Sequence, residues 1–235
     1  MKRINIIAEG QTEQRFIEKT LAEYSLFKDN EIYLCAITIE TSRGHKGGGV
    51  DFDKYKDKVI NLLYENDKPI VTSMIDFYRL NKDFPAFADS KQFSNKYERV
   101  DFLKEAILKE IEKEIPKRID INRFLPYIQL HEFEALLFSD IKGLKAIISA
   151  KDKLKEIDNI IKKFPNPEEI NDDPNKAPSK RLVKIIEGYE RKKVEYGYRI
   201  SEKIGIETIM TKCPHFKEWI YKLIEMSKTS KWSVS

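Results

Sequence analysis

The chain opens on Ile4-Asn5-Ile6-Ile7-Ala8-Glu9-Gly10-Gln11-Thr12-Glu13, an apolar run that ends in an acid and a glycine and passes straight into an amphipathic pattern. Ile4, Ile6 and Ile7 are β-branched and nearly continuous, as in a parallel strand buried on both faces. Beyond Gly10, residues Phe16, Ile17, Leu21 and Tyr24 recur at helical spacing, with Thr12 placed to serve as N-cap. A strand that turns into a helix in this way carries Glu9 to the strand's carboxyl end, where open α/β sheets hold their ligands. An acid there binds a ribose or a metal, or it is a capping carboxylate stabilised by the helix dipole. Spacing alone leaves these readings open.

Outward from this stretch the same alternation repeats. Residues 32–39 form a second near-continuous strand, 69–76 a third that ends in Asp76, and 124–130 a fourth that runs into His131-Glu132-Phe133-Glu134. A helix is expected from near Asp51, with Phe52, Tyr55, Val59, Leu62 and Leu63 on one face. A longer one is expected over 96–115, turning Val100, Leu103, Ile107, Ile111 and Ile115 inward and a solvated charged face outward. Strands alternating with helices imply an α/β fold, a mostly parallel sheet flanked by helices. Right-handed crossovers then bring the strand ends to one side. After Ser139 no strand pattern appears. Helices are expected around 154–164, from Ser179 as N-cap to Tyr189, and around 216–223, where Phe216 and Trp219 lie on an apolar stripe. The expected organisation is an α/β domain over 1–139 with a helical addition over 140–235 packed on it.

Composition narrows the function classes. A chain of 235 residues suits one α/β domain with an addition. Its 43 basic and 39 acidic residues leave a net charge of only +4, no nucleic-acid signature by itself. No apolar run approaches the ~18 residues of a membrane span, and the first strand leaves no room for a signal peptide. A cytoplasmic protein with no membrane partner is the expectation. Cys35 and Cys213 form neither a metal-ligand spacing nor a disulfide framework, and read as packing residues.

Three strands ending in acids on one side of a sheet say more than any one of them. Glu9, Asp76 and the Glu132/Glu134 pair would converge, and clustered carboxylates are costly unless a cation joins them. Magnesium or manganese takes all-oxygen sites of this kind. His131 beside Glu132 is either a general base or metal ligand, or a histidine hydrogen-bonded at a strand end. Residues 41–50 form a glycine-rich stretch carrying Arg43, His45 and Lys46. It is either a phosphate-holding loop or a connection without a ligand, and it lacks the Gly-Lys-Ser/Thr ending of a Walker loop. Lys180 and Arg181 follow Pro178 at a helix start, offering charge and free N–H groups to a phosphate, or else forming a solvated basic turn.

These residues carry a resemblance. The strand-Glu-Gly-helix opening and the later strand ending in Asp76 resemble the Toprim domain of topoisomerases, bacterial primases and OLD-type nucleases. More closely, the chain is similar to a family of small bacterial Toprim-like proteins, through Ala8-Glu9-Gly10-Gln11-Thr12-Glu13, Met74-Ile75-Asp76-Phe77-Tyr78, Asp83-Phe84-Pro85 and residues 129–138. Ala177-Pro178-Ser179-Lys180-Arg181 and residues 213–219 extend it over nearly the whole chain. The resemblance implies a magnesium-dependent nucleic-acid site, with Glu9 as acid/base or metal ligand and Asp76 as metal ligand. Where the wider Toprim pattern has Asp-x-Asp, this chain has Asp76-Phe77-Tyr78, and Glu132 or Glu134 is left to supply the further carboxylate. The resemblance also implies an ATPase partner and a role in anti-phage defence or restriction. The leading expectation is a metal-dependent nuclease acting on DNA or RNA, regulated by a partner. The alternative is a non-catalytic subunit that docks nucleic acid or an ATPase; a third is another phosphotransfer on a nucleotide. Self-association as a homo-oligomer is compatible with each.

Overall fold

A computed structural model describes residues 2–39, 49–170 and 176–229 of the chain. The elements in order are β1 (Lys2–Ala8), α1 (Gln11–Phe16) running on through a π-helical turn (Ile17–Leu21), α2 (Ser25–Asp29), β2 (Ile32–Thr38), α3 (Phe52–Leu63) and β3 (Ile70–Asp76). Next come α4 (Lys96–Glu114), β4 (Phe124–Leu125), β5 (Ile128–Gln129), α5 (Ile141–Lys145) and α6 (Lys151–Lys163). The chain closes with α7 (Pro178–Ile185), α8 (Tyr189–Ile204), α9 (Ile206–Lys212) and α10 (Pro214–Thr229). The fold is α/β, and all its strand pairings are parallel, in the order β2-β1-β3-β4 with β5 also on β3.

Side-chain alternation along the buried strands assigns the two faces. Ile4, Ile6, Ala8, Ile70 and Met74 point into one apolar core, shared with Phe16, Phe133, Leu182, Ile200, Phe216 and Trp219. Ile7, Val71 and Ile75 point into the other, shared with Tyr55, Val59, Leu103 and Ile107 of α3 and α4. α1, α2 and the helices after Ser139 therefore cover the first face, and α3 with α4 the second. Polar groups on the strands are matched to these layers. On the first face Thr72 Oγ1 accepts a hydrogen bond from Trp219 Nε1 at 2.9 Å. On the second, Ser73 Oγ lies 2.9 Å from the Tyr55 hydroxyl.

Several elements depart from the expected bounds. Residues 124–130 do not make one strand. Pro126 has no N–H for the ladder, so the pairing breaks into β4 and β5. Ser73 bridges the gap, donating to the Tyr127 carbonyl at 2.9 Å and accepting from the Tyr127 N–H at 3.1 Å. Thr12 is not the cap of α1; Gly10 holds that position, and Thr12 is buried within the first turn. Ser179 is likewise inside α7, which starts at Pro178. That helix stops at Ile185 rather than reaching Tyr189, because Ile186 is extended (φ −106°, ψ 111°), and a separate helix starts after Gly188, which takes a left-handed conformation (φ 72°). Trp219 is core, as its spacing predicted.

Candidate active site

Two neighbouring strands set the position of the site. From β1 the chain crosses one face to β2, then returns over the other face to β3 on the opposite side of β1. The crevice at the carboxyl ends of β1 and β3 is thus the point where the winding reverses, the usual ligand position in open α/β sheets. Glu9 follows β1 and Asp76 ends β3. The Asp76 N–H donates to Glu9 Oε2 at 3.0 Å, and the Glu9 N–H donates to the Met74 carbonyl at 3.3 Å. Asp76 Oδ1 in turn accepts from the Phe133 N–H at 3.0 Å, tying the third acid-terminated segment to the same point.

Two further carboxylates close round this pair. Glu13 stands three residues past the Gly10 cap, the position from which a glutamate reaches back towards a helix start. Glu134 is fully buried in the 3-10 segment Phe133–Phe138 and pairs with Lys193 of α8, Nζ to Oε1 at 2.8 Å. Arg79, in the turn Phe77–Arg79 after β3, lies 3.3 Å from the other oxygen of Glu9. A Cβ on Gly49 would fall on the Arg79 carbonyl, so only glycine lets that segment run alongside the Arg79 turn.

Burial and mutual repulsion act in one direction on these acids. Asp76 is pushed well above the ordinary aspartate range, first by burial and then by Glu9, Glu13 and Glu134. Burial also raises Glu9, against the opposing pull of the Asp76 N–H and Arg79. Glu13 rises through burial and the nearby Glu9. Glu134 rises through burial, partly offset by Lys193. Burial works to lower the Lys193 ammonium, but Glu134, Glu13 and Asp76 outweigh it and the net shift is upward. Arg79 behaves in the same way beneath Glu9, Asp76 and Glu13. Fully ionised, Glu9, Glu13, Asp76 and Glu134 exceed the charge of Arg79 and Lys193 by two. An all-oxygen donor set short of two positive charges fits a hard divalent cation. Among the described residues, no three His, Cys, Asp or Glu side chains are arranged to hold a metal ion; Glu9 is turned to Arg79 and the Asp76 N–H, Asp76 to the Phe133 N–H and Glu134 to Lys193.

The remaining expected residues fall at distinct places. Glu132 caps α7, its two oxygens accepting from the Ser179 N–H at 2.9 Å and the Ser179 hydroxyl at 3.0 Å. Its charge still acts on Glu134 and Arg79. His131 is buried in a left-handed conformation (φ 66°), which histidine tolerates better than most side chains. Its Nε2 lies 3.3 Å from Lys96 Nζ, and its ring lies 5.8 Å from that of Tyr78. Arg181 donates from Nε to the Lys176 carbonyl at 2.7 Å and stacks over Phe164, while Lys180 is exposed. Arg43, His45 and Lys46 lie outside the described residues.

A family model described as a domain of unknown function, DUF4276, matches residues 8–224. The chain belongs to the DUF4276 family. A comparison with curated proteins finds no match. Among solved structures, this DUF4276 chain is similar to the C-terminal region of the OLD protein of Xanthomonas campestris pv. campestris. The form phased with mercury is 15% identical with a TM-score of 0.37, covering 94% of this chain and 98% of that one. The form phased with platinum is 15% identical at 0.38, covering 94% and 95%.

Glu13, Arg79 and Lys193 are the members of the DUF4276 site that sequence reasoning missed. Glu13 lay within the opening stretch, and its offset of four from Glu9 was a usable signal. Arg79 follows Asp76 by three residues and had no signal beyond nearness. Lys193, far along the chain among 43 basic residues, had none.

Proposed function

We propose that this protein is a divalent-cation-dependent nuclease that cleaves phosphodiester bonds of DNA or RNA. The observation that carries the reading is the buried cluster of four carboxyl groups at the switch point of the sheet, two charges short of neutrality when all four are ionised. Glu9, Asp76 and Glu13 would hold the cation, with Glu134 completing the acidic wall where Asp76-Phe77-Tyr78 provides no second aspartate. Magnesium or manganese bound there would polarise the phosphate and supply a nucleophilic water near neutral pH. Lys193, held by Glu134, faces the acids with a charge suited to the phosphoryl oxygens of the transition state. Arg79 shields Glu9 and is placed to exchange that carboxylate for a phosphate, which Arg binds in bidentate fashion. The same pairing favours a regulated enzyme, with Glu9 held by Arg79 until substrate or a partner such as an ATPase moves that arginine.

Assays of plasmid DNA and total RNA with magnesium or manganese test the reading. Glu9→Gln and Asp76→Asn should each lower cleavage at least about a hundredfold, the scale on which single charge-stabilising groups act. Both variants should keep their fold. The pairing of Glu9 with Arg79 and of Glu134 with Lys193 also favours a second reading, a subunit that binds nucleic acid without cutting it. Wild-type protein that binds but never cleaves, with or without a partner, and a Glu9→Gln variant that binds equally well would establish that reading instead.

A further inference from the structure

A groove of about 770 Å³ runs along the outside of the site between α1 and α8. Gln11, Gln14 and Arg15 line it from α1, and Arg191, Lys192 and Arg199 from α8. Its walls are the two elements that supply Glu13 and Lys193. On α8, Arg191 and Lys192 are exposed while the adjacent Lys193 is turned in to Glu134. The helix departs from regular geometry at Lys192 (φ −114°, ψ 17°), where two helical segments meet. Three consecutive cations are thereby divided between the groove and the carboxylates.

The charges of the groove are arranged for an anion. Glu18 and Glu195 are its acids; Glu18 accepts from Gln14 Nε2 at 2.9 Å, and Glu195 pairs with Arg199 at 3.2 Å. Arg15, Arg191 and Lys192 are then the cations without an acidic partner among the described residues. The Arg15 guanidinium lies over the Tyr198 ring at 5.4 Å, and Lys192 over Tyr196 at 5.6 Å. Stacking fixes an arginine's plane and leaves its edge N–H groups directed outward, the geometry that suits phosphate. The amide groups of Gln11 and Gln14 add neutral donors on the opposite wall.

We infer that this groove is the track for the nucleic-acid backbone beside the scissile phosphate, with Arg15, Arg191 and Lys192 contacting successive phosphates. The inference rests on the nuclease reading, and it assigns the groove to the phosphodiester chain without a base preference. DNA and RNA share that chemistry, so both are used as probes.

The experiment measures the affinity of labelled single-stranded DNA and RNA by fluorescence anisotropy across a salt series, in calcium to suppress turnover. Three proteins are compared: wild type, Arg15→Gln/Arg191→Gln/Lys192→Gln, and a control with the same charge loss, Lys113→Gln/Lys117→Gln/Arg118→Gln. Lys113 is in the last turn of α4, and Lys117 and Arg118 follow in the connection that enters the amino end of β4, whereas the site is at the carboxyl ends of β1 and β3. The groove variant should bind at least about tenfold more weakly and show a shallower salt dependence by roughly two, from ~0.7 per lost phosphate contact on a single strand. The control should match wild type, and all three should melt alike. A groove variant that binds like wild type, or a control that loses as much, overturns the inference. Cleavage assays separate this from failure of the nuclease reading. Inactive Glu9→Gln with unimpaired binding by the groove variant rejects the groove alone, whereas fully active Glu9→Gln rejects the nuclease site.

Discussion

Glu168 is fully buried and accepts hydrogen bonds from the His215 and Phe216 N–H groups at 2.9 and 3.0 Å, closing the amino end of α10. Burial pushes its carboxyl up to about 7, against the pull of those two N–H groups. Its folded pKa is above the unfolded value, so the folded state holds a proton that the unfolded chain has released between about 4.5 and 7. Its contribution is therefore full below that window and lost as pH rises through it. His215 works the other way: burial holds it down to about 4 while its Nε2–H donates to the Ile128 carbonyl, so its contribution is lost as pH falls from about 6.5 to 4. The difference between wild type and Glu168→Gln isolates the first effect. Urea unfolding should show that difference shrinking by at most about 3 kcal/mol between pH 4.5 and 7; a difference independent of pH would remove the assignment. At this scale the sequence was readable where chemistry and position coincide. Glu9 follows one apolar strand and Asp76 ends another, so both could be picked out, and Glu134 stood with Glu132 after the apolar run over 124–130. Glu168 and Lys193 could not, because a single charged residue in a charged helix or loop looks solvated until the fold buries it.

Among the elements, α8 shows how a backbone detail can position a charge. A Cβ on Gly197 would lie 3.1 Å from both Phe133 Cε1 and Thr12 Cγ2, so the glycine lets α8 approach α1 and the Phe133–Phe138 segment together. Further along, a Cβ on Gly143 would press on the Ile200 carbonyl and the Ile204 side chain, bringing α5 equally close. Lys193 lies one helical turn from Gly197 and owes its reach to Glu134 to that approach. Gly197→Leu should force the helix outward, costing about 1–3 kcal/mol as an overpacked contact. Cleavage should fall with little change in nucleic-acid affinity, and Gly197→Ala should do both more mildly. Thermal melts together with kcat and KM check this; unchanged kcat in a folded Gly197→Leu protein would detach α8 from the chemistry. β1, β2 and β3 were legible as near-continuous apolar runs and α3, α4 and α10 because their apolar residues keep a period of 3.6, whereas the run over 124–130 is split in two at Pro126. By contrast α8 was not: its sixteen residues are mostly polar, it bends at Lys192, and a glycine and a serine, Gly197 and Ser201, stand among the apolar residues on its buried face.

Over the whole molecule, the parallel sheet is enclosed by α3 and α4 on one face and by α1, α2 and the helices after Ser139 on the other. Among the described residues no helix is long and apolar enough to cross a membrane. The second layer does more than cover apolar surface. It brings Lys193 to the acids and Ser179 to Glu132, so that distant parts of the chain meet at the carboxyl ends of β1 and β3. Alternating strands and helices made the sheet predictable. Which of the helices after Ser139 meet the sheet, and where, depends on long-range packing that no local period records. The acidic cluster also links the site to stability. Glu9, Glu13, Asp76 and Glu134 are all raised, so without a cation each favours folding less as pH rises. Manganese should accordingly raise the melting temperature more at pH 8 than at pH 5.5, and a gain independent of pH would place the ion elsewhere. The central claim is that these carboxylates hold a divalent cation, and manganese anomalous diffraction from crystals grown near pH 8 tests it most directly. The account predicts a single strong peak bonded to Glu9, Asp76 and Glu13 at about 2.1 Å, as for magnesium, with Arg79 displaced from Glu9. Saturating manganese with no peak there, and with the Arg79–Glu9 pair intact, would contradict it.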